Sequence, residues 1–223
     1  MIAVLATASP VAAGIVVLRT SGEAVSARYR PGAVLSAGQI RLNTGEWVVV
    51  VLDGSIRRLE GPIVSSISPA KAAEDSLLAK VADAFHRVDA RRLEFGAVRG
   101  GGAASPDEPE VLSVEQNATV CAPADRDPVL WRADAVAEMR ASLEDLGTGE
   151  RRFFTWPAGE SRMNWPRELP LHDGAFLFRD ATSRARTLQV RILPKAKGLE
   201  LLAALADRDC LDQLDLTATT NSH

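Results

Sequence analysis

Residues 47–62 read WVVVVLDGSIRRLEGP. Valine is branched at Cβ and stiff at χ1, which suits an extended strand better than a helix. The run from Trp47 to Leu52 is apolar without alternation, the pattern of a short strand covered on both faces. Asp53-Gly54 supplies a hairpin turn, Ser55 to Leu59 reads as the return strand, and Gly61-Pro62 ends it. A hairpin here makes the surrounding segment a sheet.

Working upstream, Gln39 to Leu42 alternates polar and apolar residues, and Thr44-Gly45-Glu46 turns the chain. Tyr29-Arg30-Pro31-Gly32 is another turn, and Ile15 to Arg19 is a further β-branched run. These short strands predict a small curled sheet or SH3-like barrel. Downstream, Ser68-Pro69 places a capping residue before a proline at the first helical position. Leu77, Leu78, Val81, Phe85 and Val88 follow at helical spacing, so a helix is expected over residues 69–92 with its apolar stripe on the sheet. His86 on this helix reads as a surface or capping residue.

Residues 99–109, RGGGAASPDEP, cannot continue a helix or a central strand. A domain boundary is therefore expected there, with a first domain over 14–98 and a second over 110–223. The second domain is also β-rich. Strands are expected at 111–115, 118–122 and 129–132. Between Glu138 and Leu146, Met139, Ala141 and Leu143 alternate with polar residues, a half-buried strand. Gly147-Thr148-Gly149 turns it, and residues 152–156, RFFTW, come back. Further strands are expected at 163–165, 175–178 and 187–193, then a helix over 199–208. The fold class is thus mainly β with two helices: a small β domain with a helix, then an immunoglobulin-like sandwich with a C-terminal helix.

The N-terminus bears on compartment. Residues 2–13, IAVLATASPVAA, are small, apolar and uncharged, too short for a membrane span and shaped like the core of a secretory signal ending at Ala13. The alternative is a lead-in to the first strand. Residues 1–13 are expected to be a signal peptide, which puts the mature chain in the periplasm or beyond with no membrane span. Cys121 and Cys210 are the two cysteines, 89 positions apart, which fits neither a CxxC motif nor a zinc site. In an oxidising compartment they are expected to form one disulfide; in a cytosol they would be buried thiols.

Chemistry is sparse in the sequence. Net charge is -3 and charged residues make up 25%, which gives no reason to expect a nucleic-acid partner. No nucleophile elbow, phosphate loop, zinc-protease helix or calcium loop is present. His86, His172 and His223 are too dispersed for a metal cluster. His172-Asp173 could pair a base with a carboxylate, but reads better as a turn before the strand at Ala175. No catalytic, cofactor or metal residue is assigned. Trp156-Pro157 and Trp165-Pro166 are a candidate surface for a glycan or a peptide, or else strand-end residues that cover a core.

Residues 29–62 resemble the β-rich segment of FecR-like periplasmic domains. The whole chain is similar to a group of exported two-domain proteins of Gram-negative bacteria. That likeness is carried by Gly96-Ala97-Val98-Arg99-Gly100, Cys121, Leu130-Trp131-Arg132-Ala133, residues 156–174, Cys210 and Gln213 to Leu216. The resemblance implies export and two domains, and no activity. The expected function is non-catalytic binding or scaffolding in the periplasm, with an envelope protein or glycan as partner. Two alternatives stand beside it: a FecR-like component of envelope signalling, and a cell-wall-directed enzyme whose site the motifs miss. A binding role calls for an exposed apolar or aromatic patch.

Overall fold

A computed structural model describes residues 15–35, 38–52, 54–67, 75–94, 108, 111–181 and 184–220. The expected signal segment lies outside these residues, as does the expected linker apart from Glu108. The protein is mainly β, as its sequence predicts, with helices α1 to α4 among the described residues.

The N-terminal part runs β1 (Ile15–Thr20), α1 (Glu23–Arg28), β2 (Val34–Leu35), β3 (Gly38–Leu42), β4 (Trp47–Leu52), β5 (Ser55–Glu60), β6 (Ile63–Ile67) and α2 (Asp75–Glu94). Strands β2, β1, β4 and β5 form one sheet in that order, and β3 pairs with β6. The unbroken apolar run of β4 is explained by its surroundings. Val48 and Val50 face a cluster with Ile15, Val17, Ile40 and Leu42. Val49 and Val51 face the opposite cluster with Val16, Leu18 and the apolar stripe of α2. A strand with two cores has no polar side to show.

The stripe on α2 is where the spacing places it: Leu78, Val81, Phe85 and Val88 are all buried against the sheet. His86 is exposed on the same helix. The turn at Gly32 approaches it closely: φ there is +83°, and a Cβ would sit 2.7 Å from the imidazole Nδ1. Only glycine fits that turn without strain.

The second part runs β7 (Val111–Ser113), β8 (Ala118–Pro123), β9 (Val129–Trp131), β10 (Met139–Asp145), β11 (Arg151–Trp156), β12 (Arg162–Asn164), β13 (Gly174–Asp180), β14 (Ala185–Leu193), α3 (Gly198–Asp207) and α4 (Leu211–Thr220). A five-stranded sheet, β11-β10-β13-β14-β8, shares one core with a three-stranded sheet, β12-β9-β7. An immunoglobulin sandwich is antiparallel throughout, whereas here β8 lies parallel to β14 and β7 parallel to β9. Alternating apolar residues do not distinguish the two directions.

The Trp-Pro surface is corrected by burial. Trp156 is 0% exposed and Trp165 2%. Trp165 stands edge-on to Phe176 with ring centroids 5.0 Å apart, and its Nε1 donates to the Leu169 carbonyl at 2.9 Å. The Arg132 guanidinium covers Trp156 at 5.2 Å from the ring centroid. Both rings fill the sandwich core, so neither offers a face to a sugar or peptide, and the idea of a cell-wall enzyme loses the aromatic surface that motivated it.

The C-terminal helices pack away from the sandwich core. Leu199, Leu202, Leu205, Leu211, Leu214 and Ala218 belong to the same cluster as α2 and the outer valines of β4. The backbone N–H of Leu199 donates to the Gly54 carbonyl in the β4–β5 turn at 3.0 Å. Lys80 pairs with Asp207 at 2.8 Å and Arg87 with Asp209 at 2.7 Å, tying α2 to the end of α3 and its turn. The chain end therefore completes the core of the N-terminal sheet.

Candidate interaction surface

Two places in the described residues gather chemically useful groups: the seam between the C-terminal helices and the sandwich, and the β10–β11 hairpin.

At the seam, Cys121 on β8 and Cys210 between α3 and α4 form a disulfide, with Cα atoms 6.0 Å apart. Both cysteines are buried. Gln213, three residues beyond Cys210, holds the backbone of Cys121 at both ends. Its Oε1 accepts from the Cys121 N–H at 2.5 Å, and its Nε2 donates to the Cys121 carbonyl at 2.8 Å. Since β8 is the edge of its sheet, the amide of Gln213 stands where a further strand would bond. This residue was missed by the motif search, which looks for catalytic groups. Its signal is the spacing from Cys210, which places the two side chains one helical turn apart.

The hairpin is fixed at its turn by Asp145. This carboxylate, 3% exposed, accepts from the Gly147 N–H at 2.8 Å, the Thr148 hydroxyl at 2.9 Å and His172 Nε2 at 2.7 Å. The other ring nitrogen of His172 lies 2.9 Å from the Asp173 carbonyl. Both partners are acceptors, so both contacts favour the protonated imidazole. The hydrogen bond from His172, with those from Gly147 and Thr148, holds the Asp145 carboxyl at about 2. The bond to the Asp173 carbonyl and then the one to Asp145 raise the His172 pKa. With both ring nitrogens engaged, His172 ties the turn before β13 to the turn of the β10–β11 hairpin.

Stability should follow these shifts. A raised histidine pKa contributes fully below the unfolded value near ~6.5 and is lost as pH rises through the folded value. A lowered aspartate contributes above ~4 and is lost as pH falls toward its folded value. The melting temperature of the wild type should therefore be highest between about pH 4 and 6.5. The difference between wild type and His172→Gln should shrink from pH 6 to pH 9. A constant difference over that range would show that His172 is not charged in the folded state.

Beyond the turn, β11 presents its outer face. Arg151 and Arg152, Phe153 and Phe154 are adjacent pairs, and adjacent residues in a strand point to opposite faces. Phe154 packs against the sandwich core and lies 6.4 Å from the ring of Phe178. Phe153 is 78% exposed. Across the sheet, Phe153 is registered with Ser142 on β10, and Ser142 with Arg179 on β13. Arg140 stands opposite Thr155.

No protein-family model, curated protein or solved structure matches this chain.

A shallow hollow of about 280 Å³ is lined by Phe153, Ser142, Arg140, Arg151 and Arg179. Arg151 is held by Glu144 in an ion pair. Arg140 and Arg179 are exposed and make no ion pair with any described residue. Asp180 also lines the hollow but is paired with Arg186, so the surface is an aromatic ring with two arginines beside it that no described acid pairs. The adjacent phenylalanines are the signal that points to it: in a strand with one buried face, one of the two must look outward.

Proposed function

We propose that this chain is a non-catalytic binding protein that works outside the cytoplasm and holds a partner protein at the outer face of β10 and β11. One observation carries the reading: Phe153 is 78% exposed in the middle of a strand. A single exposed apolar residue is ordinary. Here it coincides with two arginines that pair with no described acid and with a sheet edge that no described strand covers, which is the composition of an interface centre rather than of a solvated face. The buried disulfide, with no free cysteine among the described residues, suits an oxidising compartment. No helix among the described residues is long and apolar enough to cross a membrane.

Two substitutions test the reading. Phe153→Glu should leave the melting temperature within about 2 °C of wild type, because the ring packs on little. A photo-crosslinking amino acid at position 153 in the native host should yield one dominant adduct, absent when the same group is placed at the exposed Glu168. Adducts of equal yield at both positions, or none at 153, would overturn the proposal.

A further inference from the structure

The register of the hairpin shows which backbone groups of β11 are already used. Residue pairs in an antiparallel ladder alternate between bonded and non-bonded. The Asp145 N–H donates to the Glu150 carbonyl at 2.8 Å at the turn. Counting on by two, Leu143 with Arg152, Ala141 with Phe154 and Met139 with Trp156 are the bonded pairs. Arg151, Phe153 and Thr155 are therefore non-bonded partners of β10, and their N–H and C=O groups point the other way. Among the described residues no strand lies on that side, since β11 ends its sheet. Only the Arg152 guanidinium leans on the Arg151 carbonyl, at 3.4 Å.

Open edges are usually blunted by charge, proline or a bulge. Here the charges, Arg151 and Arg152, sit at the start of the strand and Pro157 lies just past its end. The centre of the strand, Phe153 to Thr155, carries neither. At the position where the edge backbone is free, the exposed phenyl ring stands on the outer face.

We infer that β11 takes up an extended acidic segment of a partner protein as a sixth strand, bonded to the backbone of Arg151, Phe153 and Thr155. This rests on the binding role proposed above and specifies how that role is carried out. Main-chain bonds hold such an added strand, and alternate side chains give it specificity. Every second residue of the segment lies beside Phe153 on the outer face. Arg140 is two strand spacings from the new strand, about 10 Å, within the joint reach of a glutamate and an arginine. Arg179 is one spacing farther and acts through its field. A second copy of β11 is the competing occupant. It would bring Arg140 and Arg179 of both copies onto one continuous face with no acid added to offset them, a long-range like-charge arrangement that opposes pairing at low salt. An acidic segment removes that repulsion.

The probe is a labelled ten-residue peptide alternating glutamate and valine, titrated onto the full chain. Fluorescence anisotropy reads binding, and amide hydrogen exchange reads the edge. Saturable binding is expected, with slowed exchange at the amides of Arg151, Phe153 and Thr155. Lysine in place of glutamate in the peptide, or Arg140→Glu in the protein, should weaken binding roughly tenfold. N-methylation of alternate peptide amides should remove it. Arg140 is exposed, so its variant should melt with the wild type. Absence of saturable binding, binding without protection of those three amides, or self-association through β11 detected by light scattering would each overturn strand addition. A crosslink at position 153 obtained alongside any of these results would leave the binding role standing and remove only this mode.

Discussion

Replacing both half-cystines, as Cys121→Ala with Cys210→Ala, is expected to lower the melting temperature by roughly 8–16 °C. The magnitude follows from the chain enclosed: the bonded residues are 89 positions apart, and closing a loop of that length removes denatured-state entropy worth about 4 kcal/mol. For a chain of this size each kcal/mol moves the midpoint by about 2–4 °C. The variant should still fold, because the core in which the two cysteines sit is built mainly from other residues, among them Val49, Val51, Val81, Phe85, Leu202 and Leu214. Its loss should appear as a lower midpoint with intact helical and strand signals. Both sulfurs lie in residues that are 1% exposed. In the folded wild type, thiol reagents should therefore react only after reduction, and reduction should be slow without denaturant. Calorimetry of the oxidised protein and the double variant reads the effect directly. A loss under about 1 kcal/mol would mean that the denatured chain is already held compact and that loop closure is not the mechanism.

Much of the fold was legible wherever a side-chain pattern has one physical cause. An apolar run in β4 implies two buried faces, and Val48 to Val51 are divided between two cores. The stripe from Leu78 to Val88 implies a helix lying on a sheet, and it does. The alternation in residues 138–146 gave β10, and the turn at Gly147 gave its hairpin. Periodicity names the apolar side of an element and leaves open what covers that side. So α3 was legible as an amphipathic helix, while its place against the N-terminal sheet was not. Helix α4 was harder still. Its threonines disfavour a helix, and its helicity comes from packing Leu211, Leu214 and Ala218 into the core. The tryptophans stayed open between surface and core for a different reason. A Trp beside a proline at a strand end reads alike whether the ring turns inward or outward, and only the three-dimensional core decides. Phe153 could have been found by geometry alone, from the two adjacent phenylalanines of a half-buried strand.

Gln213→Leu should cost about 2–4 kcal/mol, a large effect for one side chain that carries no charge. Leucine fills a similar volume on α4 but leaves the N–H and C=O of Cys121 without their partner. Each unpaired buried group costs about 1–3 kcal/mol because the bond it had with water in the unfolded chain is not replaced. Gln213→Glu separates the two halves of the clamp. A carboxylate still accepts from the Cys121 N–H but has nothing to offer the Cys121 carbonyl, and sets two acceptors against each other in a buried place. Protonation restores a donor, so the deficit of the Glu variant relative to wild type should narrow as pH falls below about 5. The deficit of the Leu variant should not. Because the disulfide and the amide both grip Cys121, their effects should not add. Once the disulfide is removed, α4 can lift from β8 at lower cost and water can reach the edge strand, so Gln213→Leu should be milder in the cysteine-free background. Denaturant unfolding of the four proteins in that cycle measures the difference. Equal costs in both backgrounds would mean that the amide clamp and the disulfide act as separate fasteners on a seam that the shared core already holds shut.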